Sequence, residues 1–141
     1  MTTNQDRLVV ATKDVSFKEY DLEGPVQPEI KWLPLNFQRE MGQGVYMIRA
    51  EPGAKFISHI HRFFEDFLIL EGDLVDDDGT IYGPGDFVSY KPGSEHYSWT
   101  ETGCLIMVFE WKPASHVTDS RLQVTGCHFV TCDLIKTRRS T

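Results

Sequence analysis

The stretch Gly53–Gly72, GAKFISHIHRFFEDFLILEG, sets His59, His61 and Glu65 directly ahead of the apolar run Phe67-Leu68-Ile69-Leu70. Two imidazoles and a carboxylate are costly to bury beside such a run unless something pairs them. They therefore either stay at the surface or hold a metal. Side chains two apart on a strand share a face, so His59 and His61 point the same way, with Cα atoms roughly 7 Å apart. Glu65 follows after Arg62-Phe63-Phe64, a gap short enough for the chain to turn and start the next strand. Imidazoles and a carboxylate converging from neighbouring strands make a usable metal-ligand set. His96, in KPGSEHYSW after the Pro92-Gly93 turn, is the candidate for a fourth ligand.

Outward from this stretch, Gly and Pro punctuate the chain at short intervals: Gly24-Pro25, Pro34, Gly42, Pro52-Gly53, Gly72, Gly83-Pro84-Gly85, Pro92-Gly93, Gly103. Runs rich in Val, Ile, Phe, Tyr and Trp lie between them, which is the pattern of many short strands joined by turns. Strands are predicted near Glu29–Pro34, Val45–Ala50, Lys55–His61, Glu65–Glu71, Asp86–Tyr90, His96–Trp99 and Cys104–Lys112. DDDGT, residues 76–80, reads as a hairpin tip with Asp78-Gly79 as its turn pair. No helical periodicity is long enough to cover a sheet, so the sheet must close on itself or pack on another. An all-β small barrel or jelly roll is the outcome.

The 141 residues suit one compact domain, and 40% hydrophobic with 25% charged residues is an ordinary globular composition. Residues 1–30 are predicted to form an N-terminal arm contributing edge strands, 31–113 the barrel, and 114–141 a C-terminal extension. A formal net charge of -7 opposes binding to nucleic acid or to anionic membranes. The basic cluster Lys136–Arg139 reads as a solvated end. No apolar run approaches the roughly 20 residues needed to span a bilayer, and the N-terminus lacks the regions of a signal peptide. Cys104, Cys127 and Cys132 have no zinc-ribbon spacing, so reduced thiols in a cytoplasmic protein are expected.

The fixed positions Gly53, His59, His61, Glu65 and Gly72 resemble the first motif of the cupin superfamily, G-x5-H-x-H-x3-E-x6-G, at every spacing. Its second motif, G-x5-P-x-G-x2-H-x3-N, is met at Gly85, Gly93 and His96. Lys91 stands where that motif has proline, and Thr100 where it has asparagine. PGSEHYSWTETGCLIMVFEW, residues 92–111, further resembles the cupin domain of ChrR-like anti-sigma factors and their acetylacetone-dioxygenase-like relatives. The resemblance implies a double-stranded β-helix, or jelly-roll cupin barrel, with His59, His61, Glu65 and His96 as metal ligands.

Several functions follow from such a site. Fe(II) would permit a mononuclear non-haem dioxygenase acting on a small diketone or hydroxyketone. Zn(II) has no accessible redox chemistry and leaves Lewis-acid work, such as an isomerase, decarboxylase or lyase, or a sensing role. The ChrR-like sensor reading is disfavoured because about thirty residues precede the core, with no histidine or cysteine among them. Phe67, Tyr90 and Met107 are the expected substrate-pocket residues. Tyr90, Glu95 and Glu110 are available as proton donors or acceptors, with both glutamates read as surface groups. A small-molecule ligand and a homodimer are the expected partners. Cys104 reads as a buried inert thiol, His116 and His128 as surface or interface residues. The C-terminal Cys127, His128 and Cys132 have no standard metal spacing.

Overall fold

The computed structural model describes residues 5–113. His116 and the C-terminal group Cys127, His128 and Cys132 lie outside them. Among the described residues ten strands run in chain order: β1 Lys18–Glu19, β2 Ile30–Gln38, β3 Gln43–Ala50, β4 Lys55–Ile60, β5 Phe64–Gly72, β6 Leu74–Asp76, β7 Ile81–Tyr82, β8 Phe87–Tyr90, β9 Glu95–Trp99 and β10 Cys104–Trp111. They form a six-stranded sheet ordered β1-β2-β3-β10-β5-β8 and a four-stranded sheet ordered β4-β9-β6-β7. Every recorded pairing is antiparallel. The chain is a jelly roll, as its turn spacing predicts, built as two facing sheets rather than one continuously hydrogen-bonded wall. No helix among the described residues is long and apolar enough to cross a membrane.

The main core lies between the sheets. Trp32, Tyr46, Ile48, Phe67, Ile106 and Val108 are all buried there. Alternation along β10 sends Ile106 and Val108 inward, and it sends Met107 to the opposite face with Leu33, Met47 and Leu105. Phe109 and Trp111 remain partly exposed at that strand's end. Asp76 and Ser98, Cα partners on β6 and β9, both carry buried side chains.

One irregularity explains why the second strand outruns its predicted end, and another sets which way His59 faces. Pro34 cannot donate to a ladder, which suggests a strand end, yet β2 continues past it because the pairing register shifts between Pro34 and Asn36. In β4 a second shift lies between Phe56 and His59. It turns Ser58 outward and His59 inward, so strict alternation from Phe56 would have aimed the wrong residue at the interior.

Gly72 closes the β5 strand tight against the Gly103 backbone. Its φ is +77°, and a Cβ there would lie 1.8 Å from the Gly103 carbonyl oxygen. Only glycine meets both conditions, which accounts for the last fixed position of the sequence motif. Gly72→Ala is predicted to cost at least about 2 kcal/mol of stability. Chemical denaturation should show that loss, whereas a variant as stable as the parent would mean that β5 and the Gly103 turn can separate freely.

Candidate metal centre

His59, His61, Glu65 and His96 each offer a ligand atom, and these atoms all lie within 4.8 Å of one another. The fold brings them from three strands and a turn. His59 and His96 are Cα partners across β4 and β9. His61 follows β4 and is held by backbone bonds at both ends. Its N–H donates to Ser94 O at 2.9 Å, and its carbonyl accepts from Gly93 N–H at 2.8 Å. Glu65 enters at the start of β5, with its Oε1 3.5 Å from His61 Nε2.

The protonation of the three rings can be read from their partners. His59 Nδ1 lies 2.9 Å from Ile57 O, which can only accept. His96 Nδ1 lies 2.7 Å from Asp76 Oδ1, again an acceptor. His61 Nδ1 lies 2.9 Å from Ser94 Oγ, whose own hydrogen goes to Lys91 O at 2.5 Å, leaving the oxygen to accept. Each Nδ1 therefore donates a proton outward, and in the neutral rings each Nε2 presents a lone pair inward.

His61 Nε2 and His96 Nε2 are buried and have no hydrogen-bond partner. Buried polar atoms left in this way are rare and costly. The lone pair of His61 Nε2 also faces a Glu65 oxygen at 3.5 Å, so two acceptors confront each other across a short gap. A cation between them resolves both problems. Imidazole nitrogen with one carboxylate suits a divalent transition ion, so the residues present fit a metal.

The surroundings are mixed. A cavity of ≈ 50 Å³ adjoins the cluster, with apolar walls that include Ile48, Phe56, Phe67 and Val108. Tyr20, Glu23 and Gln27, from the segment before β2, also line it. The Glu23 carboxylate lies 3.9 Å from His59 Nδ1. Of the pocket residues expected from sequence, Phe67 lines the cavity. Tyr90 instead stacks on His61, with ring centroids 4.9 Å apart, and tilts against His96 at 4.2 Å. Met107 is on the wrong face of its strand and does not reach the cavity.

Glu95 is exposed and accepts from Ser58 Oγ at 3.1 Å, a surface role. Glu110 is not a surface group. It is partly buried and accepts from the Tyr46 hydroxyl at 2.7 Å. Burial first, and then the carboxylates of Glu65 and Glu23, push its pKa from 4.5 up to about 7 against the opposing Tyr46 bond. Cys104 is buried away from the cluster, and burial raises its thiol to about 11. That places it with inert core thiols.

Sequence reasoning missed Asp76, Ser94 and the contribution of Tyr20, Glu23 and Gln27 to the cavity wall. Asp76 lay inside the segment read as a hairpin tip. Its parity with Leu74 on β6, beside the strand that carries His96, was the available signal.

Among curated proteins none matches the chain by sequence. A family model for the ChrR cupin-like domain matches residues 5–114. The chain belongs to the ChrR cupin-like family. Solved cupins share its fold. An RmlC-like cupin from Shewanella frigidimarina is 23% identical, with a TM-score of 0.56 over 72% of this chain and 87% of that one. A chain of the Rhodobacter sphaeroides SigE complex with the anti-sigma ChrR is 18% identical, with a TM-score of 0.55 over 70% of this chain but only 50% of that one. An acetylacetone dioxygenase from Acinetobacter johnsonii is 15% identical, with a TM-score of 0.61 over 78% and 76%.

The raised Glu110 carboxyl gives a signed pH effect for this cupin. A folded pKa above the unfolded value adds stability that is full below the unfolded value and is lost as pH rises through the folded one. From 4.5 to about 7, the loss falls between pH 4.5 and 7. The metal-free wild type should therefore lose about 1–3 kcal/mol over that window relative to Glu110→Gln. Parallel denaturation curves at pH 5 and pH 8 measure the difference, and equal losses in both proteins would show that Glu110 titrates normally.

Proposed function

We propose that this cupin is a metal-dependent enzyme, a mononuclear non-haem Fe(II) dioxygenase acting on a small diketone or hydroxyketone. The observation that carries the metal part is the set of three inward Nε2 lone pairs closed by Glu65. The likeness to the Acinetobacter johnsonii acetylacetone dioxygenase supports the choice of reaction. His59, His61, Glu65 and His96 would hold the ion. Bound Fe(II) supplies redox chemistry and open positions at which dioxygen and an enolisable ketone can meet.

The chain's own residues provide the rest. The Phe56, Phe67 and Val108 walls exclude water from the reacting atoms. The ≈ 50 Å³ cavity has space for only a few water-sized groups, which favours a small substrate. Tyr46 is fully buried. Desolvation, then neighbouring Tyr20 and the Glu65 and Glu110 carboxylates, holds its hydroxyl protonated. That hydroxyl lines the cavity with its proton committed to Glu110 at 2.7 Å, which makes Tyr46 part of a fixed wall beside the ligands. Phe87, Phe109 and Trp111, exposed along one sheet face, support a homodimer.

A zinc-binding sensor is the second reading, favoured by the family match to the ChrR cupin-like domain. In that case Zn(II) would occupy the same four ligands without redox work.

Elemental analysis and oxygen uptake separate the two. Near-stoichiometric iron, reduced to traces in His59→Ala and His96→Ala, is the expected composition. The iron-loaded protein should consume dioxygen with at least one member of a panel of small β-diketones and hydroxyketones. No uptake across that panel would remove the dioxygenase reading. Recovery of a sigma factor with the zinc form would replace it with the sensor.

A further inference from the structure

Asp76 lies beyond the four ligand residues, yet it is as buried as any of them, at 3% exposure. Both of its carboxylate oxygens are engaged. Oδ1 takes the His96 Nδ1 proton at 2.7 Å. Oδ2 takes the Tyr82 hydroxyl at 3.0 Å and the Tyr90 hydroxyl as well. Tyr90 in turn lays its ring on His61. One carboxylate thus restrains two of the three histidines, His96 directly and His61 through the Tyr90 ring.

The geometry points to Asp76 as the positioning residue that fixes His96 in the Nδ1–H tautomer, so that Nε2 offers a lone pair and not a proton to the ion. It does so without being a ligand, through a 2.7 Å bond to the ring nitrogen that faces away from the cluster. The other two rings give their Nδ1 hydrogen bonds to neutral acceptors, the Ile57 carbonyl and the Ser94 hydroxyl, with only the exposed Glu23 carboxylate 3.9 Å from His59. His96 alone is tied to a buried carboxylate. This inference rests on the metal reading above only for its consequence, since the Asp76–His96 bond and the tautomer it sets are properties of the protein itself.

Asp76→Asn is the informative change because the two sides of the carboxylate are unequal. Two hydroxyls donate on the Oδ2 side and one ring nitrogen on the Oδ1 side. The asparagine oxygen would take the hydroxyl side, and its NH2 group would then face His96 Nδ1. That nitrogen would have to accept, which moves the ring proton to Nε2 and points it into the metal centre. The same substitution beside the histidine of a serine-protease triad acts by enforcing the wrong tautomer.

The test uses 15N-labelled protein and zinc as the probe. In metal-free wild type, long-range 1H–15N correlation should show His96 protonated at Nδ1, and in Asp76→Asn protonated at Nε2. Zinc affinity, read by competition with a chromophoric chelator, should fall 10–100-fold in the variant. A purely structural role would lower thermal stability without moving the proton. If Asp76→Asn does not fold, the wild-type spectrum still decides. His96 protonated at Nε2 there, or unchanged zinc affinity in a folded variant, overturns the proposal. Failure of the wild type to bind zinc would instead strike the metal reading and leave the tautomer result standing.

Discussion

Three ring protons directed outward hold the site together. Each imidazole gives its Nδ1–H to a fixed acceptor, and the three Nε2 lone pairs are left to converge with Glu65. Without an ion, this is an unfavourable arrangement of acceptors facing acceptors in a buried space, and the fold must pay to maintain it. Such local cost persists only where the surrounding structure determines it more strongly. Here the determinants are one backbone carbonyl, a serine already committed to Lys91 O, and a buried aspartate.

The jelly roll supplies these determinants by strand pairing. Pairing of β4 with β9 puts His59 opposite His96, and the register shift in β4 turns His59 inward. Pairing of β6 with β9 carries Asp76 to within reach of His96. The β5 strand sits between β8 and β10, with Glu65 opposite both Tyr90 and Glu110. The like-charged neighbour contributes to the raised Glu110 carboxyl, second to its burial. The apolar core between the sheets then encloses the small cavity beside the cluster. Position, protonation and access thus depend on one set of antiparallel registers.

Much of this was legible in the sequence, and the remainder was hidden for physical reasons. Turn residues and strand-like runs gave an all-β jelly roll, and spacing gave the four residues that cluster. Gly72 was visible as a motif position, and the Gly103 carbonyl against it supplies the cause. Met107 was misplaced because an apolar residue on a two-faced strand can serve either of two cores, and this sheet has one on each side. Glu110 was read as exposed because charge usually means surface, whereas its β10 parity with Ile106 and Val108 points inward. Asp76 was lost among three consecutive aspartates, where turn chemistry explains all of them equally well. Its parity with Leu74 marks it as inward-facing, but its role comes from pairing with β9, which that local pattern does not name.

The central claim is that one divalent ion belongs among these four side chains. The most direct measurement is diffraction from a metal-loaded crystal at the absorption edge of the metal. The account predicts a single anomalous peak within the cluster, about 2.0–2.2 Å from the three Nε2 atoms and a Glu65 oxygen. A crystal shown to contain metal but with no peak there, or with its peak elsewhere, would contradict it.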